Sequence, residues 1–228
     1  MRALKSTFLV ACLLLLTAAS AGAGTIVIGT PNGAGNCFPF GCAYQAEYQQ
    51  VYNANQFSGT VTITGLKFYN NFYNEDATAM NTGEWNISLS TTGYDASTLT
   101  STPANNIGAD NTLVFAGNLA QPWAFGDTLE ITLSTPFTYN PANGSLLMDV
   151  IANASDPNGR IFFDATSDAV TGRLFYYSGV TAGGVGVTSS YGLVTGFETG
   201  SAIPEPASCL LIAPALLGLA VLRRKFRG

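Results

Sequence analysis

Short runs of alternating apolar and polar residues recur along the middle of the chain, and a period of two puts successive side chains on opposite faces of a strand. Leu129, Ile131 and Leu133 alternate with Thr128, Glu130 and Thr132, the clearest case. Trp85, Ile87 and Leu89 alternate with Asn86, Ser88 and Ser90, and Val61 and Ile63 alternate with threonines. Beyond Thr64-Gly65 the apolar phase moves to Leu66 and Phe68; a glycine at such a break predicts a bulge or a tight bend. Residues 25–28 (TIVI), 112–116, 146–151, 161–164, 174–177 and 191–195 read as further strands. Turn-forming residues separate them: Pro122, Gly126-Asp127, Pro141-Ala142-Asn143-Gly144 and Asp156-Pro157-Asn158-Gly159. Tyr44, Tyr48, Val51 and Tyr52 have helical spacing, but Tyr and Val suit strands. About nine or ten short strands without a long helix predict an all-β fold, an antiparallel β-sandwich of jelly-roll-like form, over residues 24–202.

The two ends break this pattern. Arg2 and Lys5 precede an apolar run at 8–16 (FLVACLLLL), and small residues up to Ala23 fit an A-x-A cleavage site. Residues 1–23 therefore read as an export signal, recognised by the general secretion machinery and cut by signal peptidase. At the other end an apolar stretch of 16 residues, 207–222, is followed by Arg223, Arg224, Lys225 and Arg227. It is shorter than the ~20 residues of an ordinary membrane helix and holds Pro214 and Gly218. Its basic end stays cytoplasmic by the positive-inside rule, as do Arg2 and Lys5, so the middle of the chain is expected outside the membrane.

Pro204-Glu205-Pro206, the short apolar span and the Arg-rich end, in that order over residues 203–228, resemble the PEP-CTERM sorting signal of Gram-negative bacteria. The resemblance implies processing by an exosortase, a membrane-embedded cysteine protease or transpeptidase, near Pro204, Glu205 and Pro206. The tail is then an address, the membrane contact transient, and the destination the cell surface or extracellular matrix.

Composition narrows the chemistry further. The 228 residues include no histidine, which excludes a Ser-His-Asp triad, a Cys-His pair and an imidazole metal ligand. Between the two ends only Lys67, Arg160 and Arg173 oppose thirteen acids, so no basic face offers itself to a nucleic acid. Charged residues amount to 10% of the chain, and Ser, Thr, Asn and Gly take their place. Such a neutral polar surface suits a hydrated polysaccharide matrix and predicts a structural or adhesive role, without catalytic residue, metal or cofactor.

Cys37 and Cys42, the cysteines left after processing, bracket Phe38-Pro39-Phe40-Gly41 and are expected to pair outside the cell. Three other patterns keep alternatives open. Tyr69, Phe72 and Tyr73 interleave with Asn70, Asn71 and Asn74, a mixture that can stack on and hydrogen-bond sugar rings; the same residues equally fit an aromatic strand end packed into the core. Asp156-Pro157-Asn158-Gly159 and the 164–168 segment offer oxygen ligands to calcium. Glu75, Asp76, Glu84, Glu130, Asp149, Asp164 and Asp168 are the acids from which a polysaccharide hydrolase would need two.

Overall fold

Nearly all of the regular structure in the computed structural model is β, as the period-two patterning requires. The structure describes residues 24–41, 47–71, 82–156, 161–176 and 184–200, with the side chains of residue 82 and residues 153–156 left aside. The strands are β1 (Gly24–Ile28), β2 (Gly35–Asn36), β3 (Glu47–Tyr52), β4 (Val61–Tyr69), β5 (Thr82–Thr92), β6 (Thr112–Asn118) and β7 (Thr128–Tyr139). They continue as β8 (Ser145–Asp156), β9 (Phe163–Thr166), β10 (Thr171–Phe175), β11 (Val187–Ser189), β12 (Gly192–Leu193) and β13 (Thr195–Thr199). One helical turn, Pro103–Asn106, interrupts the connection between β5 and β6.

Three antiparallel sheets result, in the orders β1-β13-β4-β7, β11-β10-β3-β8-β5-β6 and β12-β9-β2. The two larger ones pack face to face. Ile63, Leu66, Phe68, Ile131 and Phe197 of the four-stranded sheet share one apolar cluster with Tyr48, Tyr52, Trp85, Ile87 and Met148 of the six-stranded sheet. Burying each such side chain contributes about 1.5–3 kcal/mol, so this layer is the main source of stability. The architecture is thus a sandwich-like, all-β fold. Residues Ala23–Gly200 form one compact unit.

The phase change at Thr64-Gly65 is a shift of register. Ile63 pairs with Phe137 while Gly65 pairs with Thr132, so residues 133–136 of β7 bulge opposite Thr64. Pro136 is tolerated there because β7 is an edge strand and the bulge needs no ladder donor.

Residues 47–52, the described part of the 44–52 stretch with helical spacing, form a central strand between β10 and β8. Tyr48 and Tyr52 turn inward, while Val51 turns outward into a second cluster with Leu99, Leu147, Leu174 and Tyr176. The 93–111 connection covers that outer face, with Leu99 and Ile107 packed on it. A sheet buried on both sides loses the clean alternation that marks half-buried strands.

Arg173, 9% exposed, fastens β10 to its neighbours. Its Nη1 donates to Asn36 Oδ1 at 2.9 Å and its Nε to Ser189 Oγ at 2.9 Å. The guanidinium also lies 4.3 Å from the Phe175 ring centre.

No helix among the described residues is long and apolar enough to cross a membrane. The export signal, Pro204 to Pro206, the C-terminal span and the basic end all lie outside the described residues, as does Cys42.

Replacing Phe68, fully buried between the sheets, with Ala is expected to cost about 3–5 kcal/mol in urea unfolding, whereas Val27→Ala on the exposed edge should change stability by roughly 0.5 kcal/mol or less.

Candidate functional site

Strand β4 ends at Tyr69, and the two residues after it lock neighbouring loops together. Asn70 is fully buried. Its backbone N–H donates to Asp127 O at 3.0 Å, its carbonyl accepts from Gly126 N–H at 2.7 Å, and its side-chain Nδ2 donates to Ala124 O at 3.4 Å. Asn71 binds the carboxylate of buried Asp164 on β9 with both its backbone and its side-chain amide, at 2.9 and 2.5 Å. Of the proposed ligand surface, then, Asn70 has no face left for a ligand: its amide holds a loop. Tyr69 is half-buried, and the loss of solvent raises its pKa above the usual phenol value. Phe72 and Tyr73 lie outside the described residues.

The loop that Asn70 holds presents a different aromatic ring. Residues 124–127 form a β-turn closed by Asp127 N–H to Ala124 O at 3.1 Å, with Asp127 Oδ2 accepting from Ala124 N–H at 2.7 Å. Gly126 takes φ +87°, the left-handed position that a type II turn demands at its third residue. Phe125 at the second position is pushed outward and left 58% exposed. An exposed ring on a turn held by Asn70 is a surface on which an apolar sugar face can stack. The turn was legible in Gly126-Asp127; the outward ring was not, because nothing in local sequence says which turn residue the core rejects.

The acids scatter over the molecule. Glu130 and Glu198 both hold Lys67, each at 3.1 Å, along an open groove of about 310 Å³ on the solvent face of the four-stranded sheet. The two glutamates raise the lysine pKa, but ion pairs this exposed contribute little to stability. Asp168 accepts from Thr30 N–H at 3.1 Å, and both oxygens of Asp164 accept from Asn71. Glu84 is exposed on β5, and Glu75, Asp76 and the run 157–159 lie outside the described residues. Among the described residues no group of three or more metal-ligating side chains converges.

Two acids do meet. Glu47 of β3 and Asp149 of β8, each 5% exposed, lie on the outer face of the six-stranded sheet; Glu47 pairs with Ile151, and Gln49 pairs with Asp149. Burial first, and then the neighbouring Glu47, push the Asp149 carboxyl up to about 7. A glycosidase pair flanks a bond that substrate can reach, and these two carboxyl groups are both buried. Glu47 was missed in the sequence because its partner is 102 positions away and no motif joins them.

Gly126→Ala should destabilise the protein by about 1–2 kcal/mol in chemical unfolding, the cost of a left-handed side-chain-bearing residue, and should raise protease sensitivity within the 119–127 loop. No family model matches the chain, and no curated protein matches it either.

Proposed function

We propose that the chain is an exported, exosortase-processed protein with a structural or adhesive role at the cell surface or in the extracellular polysaccharide matrix. The observation that carries this reading is Pro204-Glu205-Pro206 followed by a short apolar span and Arg223, Arg224, Lys225 and Arg227. The neutral polar composition supports it, as does the arrangement of the folded unit. Gly24 pairs with Thr199, so the first and last strands of the unit lie side by side near the start of β4. Tyr69 and the Phe125 turn stand at the other end of β4, roughly 25 Å away at the usual strand rise. A unit held by either flank would thus keep its aromatic tip away from its attachment.

Two finer features belong to the same reading. The sheet orders β1-β13-β4-β7 and β10-β3-β8-β5-β6 are those of two interleaved Greek keys, which supports a jelly-roll. Gly41 N–H donates to Cys37 O at 2.7 Å, a turn that favours the Cys37–Cys42 pairing proposed for the exported form.

Changing Pro204, Glu205 and Pro206 together to alanine should leave the full-length chain in the inner membrane fraction, read by immunoblot of separated membranes; normal release of that variant overturns the sorting reading. A carbohydrate-binding role is favoured by one observation, the exposed Phe125 ring on its hydrogen-bonded turn. On that reading a glycan array should show polysaccharide binding that falls at least tenfold in Phe125→Ala while the unfolding midpoint is unchanged, and an array with chelator tests the calcium-assisted form.

A further inference from the structure

The solvent face of the four-stranded sheet gathers charge that is scarce elsewhere. Charged residues are 10% of the chain, yet Lys67, Glu130 and Glu198 meet there on three adjacent strands. The register brings them together. Lys67 of β4 pairs with Glu130 of β7 on one side and with Gly196 of β13 on the other. Glu198 pairs with Gly65, the neighbour of Lys67 along that face of β4. Thr25 of β1 donates its hydroxyl to the same Glu198 oxygen that Lys67 holds. Ion pairs this exposed add little to stability, so stability does not account for three charges in one place.

Two glycines hollow this face. In the row Glu198, Gly65, Thr132 the middle position has no side chain, and a Cβ built there would lie 3.2 Å from both Glu198 Cβ and the Ile131 carbonyl oxygen. In the next row Gly196 leaves room for the Tyr69 hydroxyl, which a Cβ at that position would strike. The open groove of about 310 Å³ is the outcome, floored by Gly65 and walled by Thr64, Lys67, Glu130, Thr132 and Glu198. It falls within the roughly 300–1,000 Å³ of small-molecule sites, and being open it admits one unit of a longer chain.

Its lining selects among ligands. An ammonium has three donors, and a carboxylate about four acceptor positions. Lys67 gives one donor to each glutamate, at 3.1 Å in both cases, which leaves a third. Glu130, 65% exposed at its side chain, keeps most of its acceptor positions toward water. Groups fixed in this way accept protons from hydroxyls and donate to hydroxyl oxygens at the same time, which is what adjacent hydroxyls of a sugar ring require. The three charges sum to −1, so a carboxylate or phosphate ligand is repelled. The ammonium occupies the space between the two carboxylates, where a bridging metal ion would have to sit.

We infer that this groove binds an uncharged hexose unit of a polysaccharide, with Lys67, Glu130 and Glu198 reading its adjacent hydroxyls, and that it turns away uronic-acid polymers. The inference rests on the carbohydrate-binding reading and gives it a site on the sheet face that does not involve Phe125.

The full-length chain in a sugar-free zwitterionic detergent, titrated with oligosaccharides of glucose, of mannose and of galactose and separately with oligogalacturonate, tests the site by calorimetry and amide chemical shifts. At least one neutral oligosaccharide should bind and shift the amides of Gly65, Lys67 and Glu198, and oligogalacturonate should bind at least tenfold more weakly. Glu130→Gln and Lys67→Met should each weaken that binding by about tenfold, as loss of a charge-assisted hydrogen bond implies, with the unfolding midpoint unchanged. Full affinity in both variants together with loss in Phe125→Ala would overturn the groove and leave the carbohydrate-binding reading standing. Oligogalacturonate bound as tightly as the neutral sugars, or no neutral oligosaccharide bound, would also overturn the inference, while the glycan array decides the wider reading independently.

Discussion

Strand β3 sends polar side chains to both faces of a buried strand, and the sandwich is assembled around satisfying them. On the inner side Gln50 Oε1 accepts from Leu193 N–H at 2.8 Å and from Tyr48 Oη at 2.6 Å, while its Nε2 donates to Leu193 O at 2.9 Å. On the outer side Gln49 holds Asn106 and Pro103 of the covering connection. A buried amide left without partners costs about 1–3 kcal/mol, so these contacts specify position more than they add strength. Apolar packing would tolerate several placements of β12 and of the 93–111 connection; the two glutamine side chains select one each.

That choice of material also explains what could be read in advance. Half-buried strands such as β7 and the inner alternation of β5 were legible because one face meets water and the other meets Ile63, Leu66 or Phe137. The break at Thr64-Gly65 was legible because a lost register moves every later side chain to the other face. Strand β3 was ambiguous because burial of Glu47, Gln49 and Gln50 erases the contrast on which patterning depends. Strands β2 and β11 are two and three residues long, too short for any period to register, and Arg173 ties both to β10.

The candidate ligand surface shows the same division. Aromatic and amide residues after β4 were visible as a cluster, yet the amides of Asn70 and Asn71 serve neighbouring loops and the accessible ring comes from Phe125, 55 positions later. A local run reveals composition, while accessibility is decided by whatever packs against it. Glu47 and Asp149 make the point for charge: 102 positions apart in sequence, they come onto one buried face only through the pairing of β3 with β8.

The pairing of β1 with β13 has a consequence for how the unit comes into being. Within the described residues β1 has no other strand beside it, and β13 separates it from β4. Strand β1 must therefore wait for residues 195–199 to be in place before it gains its strand partner. The strand pair that completes this sheet thus joins residues more than 160 positions apart, the kind of long-range contact that forms slowly and late.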